Sequence, residues 1–214
     1  MTTRRAFLED VSLASLFAGF PLAAQASFEK LLVKQPDPVL PKALKPGARV
    51  ALVSPASPAL EPEANEAGAE IVRSLGFNPV LMPNAQKATK YLAGSDEERV
   101  KDLNDAFRDP AIDAVWCLRG GYGSPRILPF IDYEAVRKNP KPFIGYSDIT
   151  APLNALHRLT GLVTFHGPNA SENMSPDSLR ELKKVLYTPE AAGVIAQADP
   201  FTPVEGQVDK ENRL

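Results

Sequence analysis

Ser147 stands where a parallel sheet would present a nucleophile. It follows the apolar run at 143–145 and precedes a helix-like pattern formed by Leu153, Leu156 and Leu159. A serine at such a strand-to-helix turn projects above the carboxyl edge of the sheet, beside the N–H groups that begin the helix. Serine is also a preferred helix N-cap, and the motif lacks the second glycine of the hydrolase elbow. Spacing alone therefore favours the cap and leaves the nucleophile open.

A glycine-rich loop is the second candidate for chemistry. The sequence Arg-Gly-Gly-Tyr-Gly at 119–123 directly follows the apolar run at 114–118. Its glycines allow the backbone to approach a bound group closely and to adopt positive φ. The loop therefore suits either a phosphate or the oxyanion of a reaction at Ser147. It matches neither the dinucleotide fingerprint nor the P-loop, which weakens the nucleotide-binding interpretation. A structural turn is the third interpretation, and it stays open.

The surrounding pattern predicts the sheet that positions these two loops. Short apolar runs alternate with helix-like stretches, which predicts an α/β fold with a mostly parallel sheet and helices on both faces. In such Rossmann-like sheets, functional groups collect beyond the carboxyl ends of the strands. Strands are predicted at 49–53, 77–82, 114–118, before Ser147 and at 162–165. Helices are predicted at 63–75 with Gly76 as C-cap, after the capping box of Ser95 and Glu98, after Ser147 and at 175–187.

Composition argues against several other classes of protein. The 214 residues carry a net charge of −2, which argues against a nucleic-acid partner. The single cysteine, Cys117, cannot form an internal disulfide, and its apolar surroundings predict a buried structural thiol. Cys117, His157 and His166 fall in separate predicted elements, so the sequence indicates no metal cluster.

The first 26 residues have the features of an export signal. Arg4 and Arg5 form a twin-arginine pattern, an apolar stretch follows at 11–24, and Ala24-Gln25-Ala26 supplies a small-x-small cleavage site. The apolar stretch is too short, and too interrupted by glycine and proline, for a membrane span. We therefore expect a twin-arginine signal peptide and a periplasmic mature chain that begins at Ser27.

Five motifs follow one another along the chain in a recognisable order. They include Gly-Tyr-Ser-Asp around Ser147 and His-Gly-Pro from His166 onward. Together they closely resemble those of the LD-carboxypeptidase family, the muramoyl-tetrapeptide carboxypeptidases and related microcin-immunity peptidases. The resemblance runs from about residue 41 to residue 168. The motifs lie at 91–99, 102–104, 116–123, 141–150 and 161–168.

The resemblance implies a serine peptidase that removes the terminal D-alanine from an L,D-linked murein tetrapeptide, without metal or organic cofactor. In the family the serine of Gly-Tyr-Ser-Asp is the nucleophile, which falls on Ser147. The backbone N–H groups of Asp148 and Gly121 would form the oxyanion hole. Arg119 and Tyr122 stand where substrate contacts are expected. An arginine is a natural partner for the terminal carboxylate of a peptide, through a bidentate charged pair. For Arg119, a solvated loop charge is the other interpretation.

The resemblance also implies a general base, supplied by a glutamate and a histidine of a second, C-terminal domain. A serine hydroxyl needs such a base, and the sequence shows no counterpart of that domain. His157 lies about 15 Å along the predicted helix from Ser147, beyond reach of its hydroxyl. His166 would close the predicted strand at the same sheet edge, and we interpret it as shaping the substrate pocket. Glu172 and Asp177 are assigned helix-end roles.

These features divide the chain after its signal peptide into three parts. A proline-rich surface lead-in is expected at 27–46, the nucleophile-bearing α/β domain at 47–190, and the start of a truncated C-terminal domain at 191–214.

Three interpretations of the function remain open. In the first, the chain is the nucleophile-bearing part of a murein peptidase and is inactive alone. A second is a non-catalytic module that binds cell-wall peptides or a partner that completes the site, and a third is a nucleotide-binding protein. The side facing the missing domain should expose apolar surface, which predicts a homodimer or a protein partner there.

Export gives a testable prediction. Replacing Arg4 and Arg5 by lysine removes the twin-arginine pattern and should keep the precursor in the cytoplasm, whereas the unchanged protein should begin at Ser27 after export. Cell fractionation followed by mass spectrometry of the N-terminus measures both outcomes. An exported protein that retains Thr2, or unchanged export of the double variant, would contradict the twin-arginine assignment.

Overall fold

The computed structural model describes residues 36–61 and 63–188. The signal peptide predicted for 1–26 and the start of a C-terminal domain predicted for 191–214 lie outside these residues.

Five parallel strands form a single sheet in the order β2-β1-β3-β4-β5. This confirms the predicted α/β fold with a mostly parallel sheet. The order of the strands reverses at β1, so the loops that follow β1 and β3 meet at a topological switch point, where ligands of such sheets bind. The strands are β1 (Arg49–Val53), β2 (Asn78–Leu81), β3 (Ala114–Cys117), β4 (Phe143–Gly145) and β5 (Phe165–His166).

Helices cover both faces of the sheet, because successive side chains of each strand point to opposite sides. Ala51 and Val53 of β1 pack in one apolar cluster, and Val50 and Leu52 pack in the other. The first cluster includes residues of α2, α3 and α4, and the second includes residues of α1 and α5. The helices are α1 (Glu63–Ser74), α2 (Asp96–Arg108), α3 (Tyr133–Lys138), α4 (Thr150–Thr160) and α5 (Pro176–Tyr187).

Local signals in the sequence fix several helix ends. The Ser95 side chain accepts a hydrogen bond from Glu98 N, and the Glu98 side chain accepts one from Ser95 N, which confirms the predicted capping box at the start of α2. Gly76 follows α1 with φ +91°, a conformation that glycine adopts without steric cost. The predicted helix end at Gly76 is therefore confirmed.

The last strand differs from its prediction at 162–165. β5 is Phe165–His166, and Leu162 forms an isolated parallel bridge with Val39 instead. Val39 N donates to Gly161 O at 2.8 Å, and Val163 N donates to Val39 O at 2.9 Å. The backbone groups expected to extend β5 are thus used by the segment that precedes β1.

That preceding segment, residues 37–46, is bonded to the domain rather than only lying on its surface. Besides the bridge at Val39, Leu44 N donates to Leu186 O of α5 at 2.8 Å. The Leu44 side chain is 4% exposed and packs in the cluster beneath α1 and α5.

Cys117 is fully buried, and burial raises the pKa of its thiol well above the ordinary value. This confirms the interpretation as a structural thiol. Within the described ranges, none of the helices has the length and apolar character needed to cross a membrane.

A lysine is buried beneath the C-terminal end of α2. Lys141 Nζ donates to Ala106 O at 2.7 Å and to Asp109 O at 2.5 Å, and the residue is 6% exposed. Carbonyl groups at a helix C-terminus attract a cation. Burial nevertheless dominates and lowers the pKa of Lys141 to about 8.

This pKa predicts a stability that rises with pH. An unfolded lysine keeps a pKa of about 10.4, so between pH 8 and pH 10 the unfolded chain binds more protons than the folded one. The free energy of unfolding should therefore increase across that window, by about 1–3 kcal/mol relative to a Lys141→Met variant. Urea unfolding at several pH values measures the difference. Lys138→Met is the matched control, because the Lys138 side chain is 71% exposed; parallel curves for the Lys141→Met variant and the unchanged protein would contradict the assignment.

Candidate active site

Ser147 occupies a strained position at the end of β4. It opens a short 3₁₀ turn, Ser147–Ile149, that leads into α4. Its φ of 62° lies in the left-handed region, where non-glycine residues are uncommon. Such strain concentrates at functional sites and marks the sharp strand-to-helix turn that exposes a nucleophile. The Ser147 side chain is exposed.

Ser147 is not the N-cap of the following helix. Ile149 occupies that position in α4, and neither the 3₁₀ turn nor α4 has a side-chain cap. The cap interpretation, which spacing favoured, is therefore wrong. Spacing did not reveal that a 3₁₀ turn would separate Ser147 from the helix.

The glycine loop after β3 contacts the Ser147 side chain. A Cβ atom on Gly120 would lie 3.0 Å from Ser147 Cβ, 3.1 Å from Tyr146 O and 3.3 Å from Ser147 Oγ. The lack of a side chain at Gly120 therefore allows this approach. The sequence pattern predicted a functional loop but did not single out Gly120. Its place among the glycines directly after β3 is the signal that could have done so.

Asp148 ties the Ser147 turn to the end of the glycine loop. Asp148 Oδ2 accepts a hydrogen bond from Ser124 N at 2.7 Å, and Asp148 O accepts one from Ser124 Oγ at 2.6 Å. Ser124 is fully buried and begins the 3₁₀ helix Ser124–Phe130. The predicted role of Asp148 involved only its backbone. Its carboxylate fixes two loops relative to each other, which a single sequence does not reveal.

The backbone N–H groups of the glycine loop differ in what they bind. Tyr122 N donates to Ser57 Oγ at 3.0 Å. Within the described residues, Gly121 N–H has no acceptor. Gly121 is exposed, with φ +99°. A free N–H beside a presented hydroxyl is what stabilisation of an oxyanion requires.

Arg119 and Tyr122 flank this loop. Arg119 Nη1 donates to Pro58 O at 2.7 Å, which holds the half-buried side chain in place and leaves further guanidinium N–H groups for a ligand. Tyr122 is 63% exposed and lies edge-to-face with Tyr91, with ring centroids 5.6 Å apart. Both residues therefore present polar and aromatic groups at the carboxyl edge of the sheet.

The two histidines are exposed and lie in different elements. His157 Nδ1 lies 3.1 Å from Leu162 O near the end of α4. His166 pairs in register with Gly145 of β4, and its ring lies edge-to-face with Tyr146 at 6.2 Å. His166 thus stands at the sheet edge that carries Ser147, as the sequence predicted.

Glu172 does not have the predicted helix-end role. Glu172 Oε2 accepts a hydrogen bond from Tyr146 Oη at 2.6 Å, and Glu172 Oε1 accepts one from Asn169 Nδ2 at 3.2 Å. The bond to Glu172 raises the pKa of Tyr146. The sequence separation of 26 residues hid this pairing. Asp177 lies in the first turn of α5, as predicted.

Metal chemistry has no candidate centre in the part of the chain that the structure describes. No group of three or more His, Cys, Asp or Glu residues there is placed to hold a metal ion.

The contact between Gly120 and Ser147 can be tested by adding one methyl group. Gly120→Ala should lower the free energy of unfolding by about 1–3 kcal/mol, because its Cβ must displace Ser147 or the Tyr146 carbonyl. Gly167→Ala is the matched control, since a Cβ there would meet no atom closer than 3.9 Å. Urea denaturation compares both with the unchanged protein. Equal free energies of unfolding for the two variants would show that the Gly120 backbone is not packed closely against the Ser147 side chain.

Comparison with known proteins reveals relatives over the same part of the chain. The family model described as the LD-carboxypeptidase N-terminal domain matches residues 50–167. The chain is 42% identical over 173 residues to a putative carboxypeptidase of Streptomyces coelicolor, covering 77% of this chain and 56% of the relative. It is 44% identical over 161 residues to a murein tetrapeptide carboxypeptidase of Pseudomonas aeruginosa, covering 73% of this chain and 52% of the relative.

A solved structure has the same fold. Microcin C7 self-immunity protein MccF, determined with aspartyl sulfamoyl adenosine, matches with a TM-score of 0.68 and 31% identity, covering 72% of this chain and 48% of that chain. The chain spans about half the length of the curated relatives it matches. Because the family match at residues 50–167 takes in more than half of the 214 residues, the chain belongs to the LD-carboxypeptidase family.

Proposed function

We propose that this chain supplies the nucleophile of a serine carboxypeptidase that releases the terminal D-alanine from L,D-linked murein tetrapeptides. The observation that carries the proposal is the exposed Ser147, held at φ 62° at the end of a parallel strand with the Gly120 backbone against its side chain. The Pseudomonas aeruginosa relative, named a murein tetrapeptide carboxypeptidase, supports the choice of substrate.

In the proposed reaction, Ser147 Oγ attacks the carbonyl carbon of the last peptide bond and loses its proton to a general base. The N–H groups of Gly121 and Asp148 stabilise the negative charge that develops on the carbonyl oxygen. The C–N bond then breaks, and the base returns the proton to the amino group of the departing D-alanine. Water then attacks the carbonyl carbon of the acyl-enzyme and gives a proton to the base. The ester C–O bond to Ser147 breaks, and the base returns the proton to Ser147 Oγ.

The general base is proposed to come from outside the described residues. His157 lies near the far end of α4, and the His166 ring lies edge-to-face with Tyr146. Within the described residues, neither histidine is hydrogen-bonded to Ser147. A glutamate and a histidine of a second domain, as in the family, would complete the site. We accordingly propose that the chain alone is inactive. We also propose that the side of the domain that would face this second domain binds it, a protein partner or a second copy of the chain.

Recognition of the substrate is assigned to the rim of the glycine loop. The guanidinium of Arg119 is proposed to bind the terminal carboxylate of the peptide, in the bidentate manner that arginine favours. The exposed ring of Tyr122 would pack on the peptide, and His166 would bound the pocket on the β5 side. We also propose export to the periplasm, where murein is found, which would bring the protein to this substrate.

Release of D-alanine from an L,D-linked murein tetrapeptide tests the proposal. The isolated chain should show only the residual acceleration of an incomplete triad, at most about 10³–10⁴-fold over water. Adding the C-terminal part of the Pseudomonas aeruginosa relative should raise the rate at least about a hundredfold where the two parts associate. Ser147→Ala should return the rate to background, whereas Ser178→Ala, at an exposed serine of α5, should leave it unchanged.

The other outcomes are equally informative. Activity of the mixture that survives Ser147→Ala would remove the nucleophile assignment. Rapid turnover by the isolated chain would place a base within it, and His166→Ala would then be the next variant. Tetrapeptide binding without turnover in any mixture would favour the non-catalytic module. A parallel reaction with aspartyl sulfamoyl adenosine, the ligand of the MccF structure, tests a second substrate class; we expect the tetrapeptide to react faster.

A further inference from the structure

Ser57 lies where the two central loops of the sheet meet. It belongs to the loop that follows β1, and its neighbour across the sheet is the glycine loop that follows β3. Ser57 is 6% exposed, so its hydroxyl is removed from bulk water. A buried hydroxyl at a switch point requires a partner inside the protein.

That partner is the glycine loop, on both sides of Gly121. Ser57 N donates to Gly120 O at 3.1 Å, and Ser57 Oγ accepts a hydrogen bond from Tyr122 N at 3.0 Å. One residue thus holds the loop immediately before and immediately after Gly121. The Tyr122 N–H is therefore hydrogen-bonded to Ser57, whereas the Gly121 N–H has no acceptor among the described residues.

The first of these bonds sets the direction of Gly121 N–H. The Gly120 carbonyl and the Gly121 N–H belong to one planar peptide unit, and in a trans peptide they point in opposite directions. The described residues contain no cis peptide bond. Because the Gly120 carbonyl points at Ser57 N, the Gly121 N–H points away from Ser57.

Packing leaves the loop little freedom to rotate. A Cβ atom on Gly121 would lie 2.5 Å from Ser57 Cβ, and one on Gly120 would lie 3.0 Å from Ser147 Cβ. Ser57 and Ser147 therefore each contact one of the two consecutive glycines. A rotation of the peptide between those glycines would break the hydrogen bond to Ser57 N.

A separate clamp holds the outer parts of the same loops. The buried Arg99 donates through Nη1 to Pro55 O at 2.5 Å and to Gly123 O at 3.0 Å. Loss of the Ser57 hydroxyl would therefore leave the two loops joined. The backbone hydrogen bond from Ser57 N to Gly120 O would also remain. The change would fall first on the peptide between Gly121 and Tyr122, whose N–H loses its acceptor, and would reach the Gly121 N–H through the freed backbone of Gly121.

We infer that Ser57 is a positioning residue, which orients the Gly121 N–H toward the oxygen that becomes negatively charged when Ser147 attacks. The inference rests on the proposed function. Ser57 touches neither the nucleophile nor the reacting carbonyl; it acts through the glycine loop. A donor fixed before the reaction stabilises the transition state more than the bound substrate.

Ser57→Ala and Ser54→Ala form a matched pair for the test. Ser54 lies in the same loop, is 3% exposed, and donates its hydroxyl to Ala85 O at 2.7 Å, away from the glycine loop. Each variant loses one buried hydroxyl group. In the active mixture of the two parts, Ser57→Ala should lower kcat about tenfold or more with KM within about twofold, whereas Ser54→Ala should change kcat less than about threefold.

A second measurement does not depend on activity. The NMR order parameter of the Gly121 amide should be about 0.85 in the unchanged chain and in Ser54→Ala, and below about 0.6 in Ser57→Ala. An unchanged order parameter in Ser57→Ala overturns the inference, whether or not the mixture is active. So does a lowered order parameter with kcat equal to that of Ser54→Ala. Absence of Ser147-dependent turnover in every mixture would instead defeat the proposed function, and the order parameter would still decide the role of Ser57.

Discussion

The contact between the Gly120 backbone and the Ser147 side chain is the constraint on which the candidate site depends. It brings the loop after β3 against the turn after β4, and it exists because Gly120 has no Cβ atom. Parallel pairing of β3 and β4 makes the approach possible, since both strands end at the same edge of the sheet. The strained φ of Ser147 then turns its hydroxyl out of the sheet, next to the glycine backbone.

Three sets of polar hydrogen bonds hold the loops around that contact. Asp148 bonds the Ser147 turn to Ser124, Ser57 bonds the loop after β1 to the glycine loop, and Arg99 bonds the same two loops at their outer parts. All three are buried or half-buried, so competing water has limited access to them. The backbone groups at this edge are therefore held in place by polar side chains. That arrangement suits the proposed hydrolysis, in which negative charge would develop on a carbonyl oxygen.

Sequence predicted the features that depend on neighbouring residues. The capping box of Ser95 and Glu98 and the glycine end of α1 follow from local hydrogen bonds and φ preferences. Partners distant in sequence were not predictable. The hydrogen bond between Glu172 and Tyr146 joins residues 26 positions apart. Lys141 bonds to the Ala106 carbonyl of α2 over 35 positions, and Ser57 bonds to Tyr122 over 65. The identity of such a partner depends on how the sheet is ordered, and apolar periodicity specifies strands but not their neighbours.

The bonds of residues 37–46 have a consequence for how this domain assembles. Val39 is bonded to the backbone around Gly161 and Val163, and Leu44 to Leu186, so the start of the domain is closed by residues more than 100 positions later. Closing so long a loop costs conformational entropy before the contact stabilises the chain. During synthesis the bonds of Val39 can form only after Gly161 and Val163 have left the ribosome, and the bond of Leu44 only after Leu186 has.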